Sequence, residues 1–140
     1  MIVLDTNVVS ELMRPQPNST VATWISNRSA ATLFLSSVTE AELLYGVAIM
    51  PAGQRKDALK TGIKQMLRED FAGRVLPFDS DAARAYASIA ASCRTLGRSI
   101  SQSDAQIAAI ARSRGMAVAT RNIRHFEQMA VELIDPWVTG

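Results

Sequence analysis

Short apolar runs alternate along this chain with longer stretches in which apolar residues recur every three or four positions. The first run, Ile2-Val3-Leu4, is rich in β-branched residues and reads as a buried strand. Residues 7–13 follow as a short helix that ends before Arg14-Pro15-Gln16-Pro17, where two prolines enforce a turn. Asn18 or Ser19 is placed to cap a second helix with Val21, Trp24 and Ile25 on one face. Residues 31–36 give a second strand, and Ser37 starts a third helix through Leu43, Leu44 and Val47 that ends near Pro51 and Gly53. A fourth helix reaches about Asp70, with Leu59, Ile63, Met66 and Leu67 on its apolar face. Residues 74–78 make a short strand, which Pro77 assigns to an edge. Asp79 caps a long alanine-rich helix that stops at Gly97, and another helix runs from Ser101 or Gln102 to Arg114, with Gly115 as its left-handed C-terminal residue. Residues 116–120 form a fourth strand, 123–127 a short helix and 131–134 a last strand. Strands alternating with helices predict an α/β fold, a single domain over residues 1–140 with a mainly parallel central sheet covered on both faces.

A chain of 140 residues, 48% apolar and 20% charged, can bury one core of this kind. No apolar run approaches the roughly 18–20 residues that span a bilayer, and the chain enters its first strand without a basic, cleavable leader. Its one cysteine, Cys93, excludes an internal disulfide and fits a reducing cytoplasm. Cys93 shares an apolar helical stripe with Ala82, Tyr86, Ile89 and Leu96, which makes it a core residue rather than a nucleophile. The net charge of +2 identifies no partner, but the charges are unevenly spread. Lys56, Lys60, Lys64 and Arg68 recur every four residues as a ridge on the fourth helix. Such a row repels itself slightly and is either a solvated face or a phosphate-binding surface.

The candidate chemistry narrows by elimination. His125 is the only histidine, so zinc sites built on histidine and two-histidine ribonuclease chemistry lack their parts. No glycine-rich phosphate loop is present. Carboxylates remain. Asp5 ends the first strand and belongs at the C-terminal edge of the sheet, where open parallel sheets bind ligands, unless it simply caps the next helix. Ser37 and Glu40 have the spacing of a capping box, which leaves Glu42 as either a solvated acid or a ligand at that same edge. Asp104 follows Ser101 by three and can cap, ligate or do both. The fourth strand ends in Thr120-Arg121-Asn122, two neutral oxygen donors and a guanidinium suited to a phosphate. Asp5, Glu42, Asp104 and Asn122 thus make a candidate oxygen-only pocket. Carboxylates so placed repel unless a cation neutralises them, and hard oxygen ligands suit Mg²⁺ or Mn²⁺.

The segments Leu4-Asp5-Thr6-Asn7, Ser36-Ser37-Val38-Thr39-Glu40-Ala41-Glu42-Leu43, Gly73-Arg74-Val75-Leu76-Pro77-Phe78-Asp79, Asp104 through Ala109, Ala119-Thr120-Arg121-Asn122 and Asp135-Pro136-Trp137 run nearly the length of the chain. In order and spacing they resemble the PIN-domain ribonucleases of the VapC toxin type, most closely their FitB-like branch. The resemblance implies a PIN-like three-layer α/β/α domain. It also implies that Asp5, Glu42 and Asp104 surround Mg²⁺ or Mn²⁺, with Asp5 and Asp104 as principal ligands. A fourth acid is common in the family at the position of Asn122, where this chain has an amide. Thr6 and Thr120 would orient the site. The implied activity is RNA cleavage by metal-activated water, leaving 5′-phosphate and 3′-hydroxyl ends, as the toxin half of a type II toxin–antitoxin pair. The implied assembly is a homodimer with a DNA-binding antitoxin, whose C-terminal segment enters the groove with an arginine against the acids. On the residues alone two other readings stay open. One is a non-catalytic module that partners the antitoxin in autoregulation, which Asn122 keeps alive. The other is a small-molecule phosphohydrolase, weakened because Asn7 stands where a second acid is wanted.

Overall fold

Three apolar residues near the start of the chain form the middle of the sheet. The computed structural model describes residues 1–138. The chain runs through β1 (Ile2–Leu4), α1 (Thr6–Leu12), α2 (Ser19–Ser26), β2 (Leu33–Ser36), α3 (Ser37–Ala48) and α4 (Gln54–Gln65). It continues through β3 (Val75–Leu76), α5 (Ser80–Thr95), α6 (Gln102–Ser113), β4 (Ala117–Ala119), α7 (Ile123–Phe126) and β5 (Leu133–Ile134). The strands lie in the order β3-β2-β1-β4-β5, and every neighbouring pair is parallel. β1 is central, and β3 is at an edge as expected, ending at Leu76 just before Pro77.

Side-chain alternation along these short strands divides the interior in two. Ile2, Leu4, Leu33, Leu35, Ala117 and Ala119 face one side, where Val8 and Val9 of α1, Val21 of α2, Leu43 and Val47 of α3 and Ile63 of α4 cover them. Val3 and Val118 face the other side, against Ala82, Ile89 and Cys93 of α5, Ile107 and Ile110 of α6 and Phe126 of α7. The result is the expected three-layer α/β/α arrangement. Cys93 is buried in the second core, and its predicted stripe holds for Ala82, Tyr86 and Ile89. Leu96 departs from it and is 60% exposed, because it lies past the last turn of α5, just before the left-handed Gly97.

Several boundaries differ from the sequence reading. β2 begins at Leu33 because Ala30–Thr32 form a 3₁₀ turn. The ridge helix ends at Gln65 and continues as a π turn, Met66–Asp70. Arg74 ties that region down: its guanidinium donates to the carbonyls of Ala30, Leu33 and Asp70. The capping box between Ser37 and Glu40 does not form. β2 stays extended through Ser36, so Ser36 is the cap and its Oγ accepts from the Thr39 amide at 3.0 Å. Ser37 Oγ instead accepts from the Phe78 amide of the next crossover. At the end of α6, Gly115 adopts φ +66, with Met116 N donating to Ala111 O and Gly115 N to Arg112 O, as a Schellman motif does.

Truncating Ile107, fully buried between α6 and the sheet, to alanine should destabilise the fold by about 2–5 kcal/mol. Leu96→Ala, at an exposed position, should stay within roughly 0.5 kcal/mol of wild type. Urea unfolding midpoints at constant m-value check both.

Candidate active site

The register of β1 against β4 sets Leu4 opposite Ala119, so the next residues, Asp5 and Thr120, leave the sheet side by side. The Asp5 amide still donates to Ala119 O at 2.9 Å, extending the ladder by one bond. Asp5 is the cap of α1, and it is only 5% exposed. The capping reading of this residue holds, and the cap is itself buried. Its Oδ1 accepts from the Thr6 amide at 2.7 Å. Its Oδ2 accepts from the Thr120 hydroxyl at 2.8 Å and from Asn7 Nδ2 at 3.2 Å.

Asn7, which on the sequence matters only as the missing second acid of a phosphohydrolase, holds this end of the sheet together. Its amide nitrogen also approaches Thr120 Oγ1 at 3.3 Å, and its Oδ1 accepts from the Arg121 amide at 3.2 Å. It thus spans the gap between the ends of β1 and β4. Thr120 Oγ1 further accepts from the Asn122 amide at 3.0 Å. A polar side chain two residues beyond a site acid was the available signal, because the first turn of a helix brings such a residue back over its cap.

A second polar chain starts at Thr6. Its hydroxyl donates to Glu42 Oε1 at 2.6 Å and lies 3.0 Å from Thr39 Oγ1. Thr39 in turn is bonded to the cap residue Ser36. The start of α3 at the end of β2 therefore fixes the height at which Glu42 projects, and Thr6 fixes its rotamer. Asp104 enters from the first turn of α6, capped by Ser101, whose Oγ accepts from the Asp104 amide at 3.1 Å. Its carboxylate, 21% exposed, lies 3.5 Å from His125 Nδ1. The reciprocal half of a capping box is not found there among the described residues.

Asp5, Thr6, Glu42, Asp104, Arg121 and Asn122 line one cavity of about 550 Å³, with Asn7, Ser10, Glu11, Arg14 and Trp137 completing its walls. The basic ridge is elsewhere. Lys60 and Lys64 are exposed on α4 and Arg68 on the π turn that continues it, Lys56 turns back to donate to Ala48 O, and none of the four lines this cavity. A larger apolar groove of about 1120 Å³ runs between α1, α3 and α4 and shares Thr6, Ser10, Arg14 and Glu42 with the acidic cavity.

Burial pushes the Asp5 carboxyl above its ordinary value of 3.8. The Thr120 hydroxyl and Thr6 amide pull it back, while the charges of Asp104 and Glu42 raise it further. Asp5 thus feels the charges of the other two acids. Among the described residues, no three of His, Cys, Asp and Glu stand close enough to ligate one ion directly. The oxygen donors suit a hard divalent cation that keeps part of its water shell and meets some of the acids through it, as Mg²⁺ commonly does.

Fold and site together define a class. The profile of the PIN domain matches residues 2–132, and the chain belongs to the PIN-domain family. Within it, the chain is 45% identical to the VapC ribonuclease Y4jK of Sinorhizobium fredii, over 98% of both chains. It is 42% identical to the toxin FitB of Neisseria gonorrhoeae, over 98% of this chain and 99% of that one. A solved structure of FitAB bound to an IR36 DNA fragment superposes with a TM-score of 0.94 at 41% identity, covering 100% of this chain and 98% of the other.

The raised Asp5 pKa has a thermodynamic consequence. The folded chain holds this proton more tightly than the unfolded chain, so the associated penalty is absent below 3.8 and grows as pH rises through the folded value. In EDTA, the Tm of Asp5→Asn relative to wild type should therefore rise as the pH is taken from about 4 to about 7. Excess Mg²⁺ should shrink that difference by stabilising only the wild type. A difference constant with pH would show that the ionised carboxylate carries no penalty.

Proposed function

We propose that this chain is a Mg²⁺- or Mn²⁺-dependent endoribonuclease and the toxin half of a toxin–antitoxin pair. The observation that carries the reading is the convergence of Asp5, Glu42 and Asp104, from three separate crossovers, on one polar cavity at the C-terminal edge of the sheet. The relatives, a VapC ribonuclease and the toxin FitB, agree with it.

Asp5 and Asp104 would hold the ion and Glu42 would complete its surroundings. When bound, such an ion lowers the pKa of a water and offsets charge that develops on a phosphate. The protein's own groups supply the rest. Thr120, Asn7 and the Thr6 amide fix both oxygens of Asp5. Thr6 engages Oε1 of Glu42, so Oε2 serves as the proton acceptor for the attacking water. Asn122 contributes a neutral amide at the rim, where it adds no further charge to repel the phosphodiester.

The same reading assigns partners. RNA would approach over the exposed ridge of Lys60, Lys64 and Arg68, with Lys56 at its end. The apolar groove beside the acidic cavity suits an antitoxin segment that lays apolar side chains in the groove and an arginine against the acids. The solved FitAB–DNA structure agrees with an antitoxin that also binds DNA. A second copy of this chain would cover Leu44, Tyr45 and Ile49, which α3 leaves exposed. Among the described residues no helix is long and apolar enough to cross a membrane.

With Mg²⁺, the purified chain should cleave single-stranded RNA, and EDTA should abolish cleavage. Asp5→Asn and Asp104→Asn should each reduce kcat by about a hundredfold or more, since each removes charge that holds the ion. If wild type and both variants are equally inert on total RNA while antitoxin binding persists, the chain is a binding module instead.

A further inference from the structure

Two guanidinium groups stand at the mouth of the acidic cavity, and the chemistry above leaves them without a task. Arg14 and Arg121 both line it, together with Asp5, Glu11, Glu42 and Asp104. Each is held in place by its own support. Among the described residues, neither forms an ion pair with Asp5, Glu42 or Asp104.

Arg14 leaves the end of α1. Its Nη1 lies 3.4 Å from Oε1 of Glu11, a carboxylate only 7% exposed. The other oxygen of Glu11 accepts from the Asn18 amide at 3.0 Å. Glu11 is thereby anchored beyond the Pro15-Gln16-Pro17 turn and steadies Arg14 from behind. The Arg14 side chain stays 67% exposed, and such a half-solvated pair leaves most of its donors available.

Arg121 follows β4. Its backbone amide is fixed by Asn7 Oδ1, and its guanidinium lies over the Trp137 ring, 5.1 Å from the centroid. Trp137 is itself pinned, its amide donating to Asp135 Oδ1 at 2.9 Å. A guanidinium lying on an aromatic face keeps its in-plane N–H donors directed outward, the geometry that receives a phosphate.

Electrostatics says why a substrate would need them. Four acids line the cavity, Asp5, Glu11, Glu42 and Asp104, and a polyanion is repelled there wherever their charge is left unbalanced. Arg121, paired with none of these acids among the described residues, and Arg14, whose one 3.4 Å contact with Glu11 leaves its other donors open, offset that repulsion for the neighbouring phosphates. We infer that Arg14 and Arg121 form a two-sided clamp for the phosphates flanking the scissile one. Trp137 acts as a positioning residue for Arg121. The inference rests on the nuclease reading and deepens it by assigning the substrate's backbone to particular side chains.

Steady-state cleavage of a short single-stranded RNA in Mg²⁺ tests it. Arg14→Ala and Arg121→Ala should each raise KM about tenfold, the loss of one charge-assisted contact, with kcat within about threefold of wild type. Trp137→Ala should reproduce the Arg121→Ala effect, and Trp137→Phe should restore most of it. Arg84→Ala, an exposed arginine paired with Asp81 on α5, should change nothing. Binding of the same RNA to the Asp104→Asn protein across a salt series should show a slope shallower by about 0.7 for each clamp arginine removed. If wild type cleaves RNA while the arginine variants keep both KM and salt slope, or lose only kcat, the clamp is overturned and the nuclease reading stands. If wild type neither cleaves nor binds RNA, both fall together.

Discussion

An ionisable group at the end of a buried strand has to be compensated, and most of this architecture around the cavity follows from that requirement. Asp5 is nearly inaccessible to water, so its two oxygens must be satisfied by protein. The donors come from the backbone of the next residue, from Asn7 one turn into α1 and from Thr120 at the end of a different strand. Even so, burial and the neighbouring acids leave it a reluctant anion. A charge held against its preference is a group prepared for a cation, and the protein keeps it there by locking β1 to β4 through hydrogen bonds that no single helix could supply.

The sheet order explains why these segments meet. From β1 the chain moves outward one way through β2 and β3, then returns to the other side of β1 for β4 and β5. Between β1 and β4 the direction of winding reverses, and open parallel sheets leave a crevice at such a point. Asp5 and Thr120 stand on its two banks. Glu42 reaches in from the crossover after β2, and Asp104 from the helix that precedes β4. The crevice is therefore a property of strand order first and of particular residues second.

Much of this was legible in the residues. Alternating strands and helices, the caps at Asn18, Asp79 and Ser101, and the Gly115 stop all follow from local chemistry, and local chemistry is what a sequence displays most directly. Strand ends were less legible. Ser37 is the cap on paper, and the pairing of β2 through Ser36 moves the cap one residue back. The acids were found because a carboxylate after a short apolar run is conspicuous. Asn7, Thr39 and Trp137 were not assigned to the site, since their roles depend on partners up to 114 residues away in the chain. His125 was set aside for lack of a second histidine, yet the fold brings it beside Asp104.

The two cavities have a common wall. Thr6, Ser10, Arg14 and Glu42 belong both to the apolar groove and to the acidic chamber. Whatever settles in the first compresses, displaces or shields atoms of the second, with no hinge and no relay of strain between them. Control of this protein by an occupant of the groove would then be a matter of shared floor space, as immediate as a chair pushed against a door.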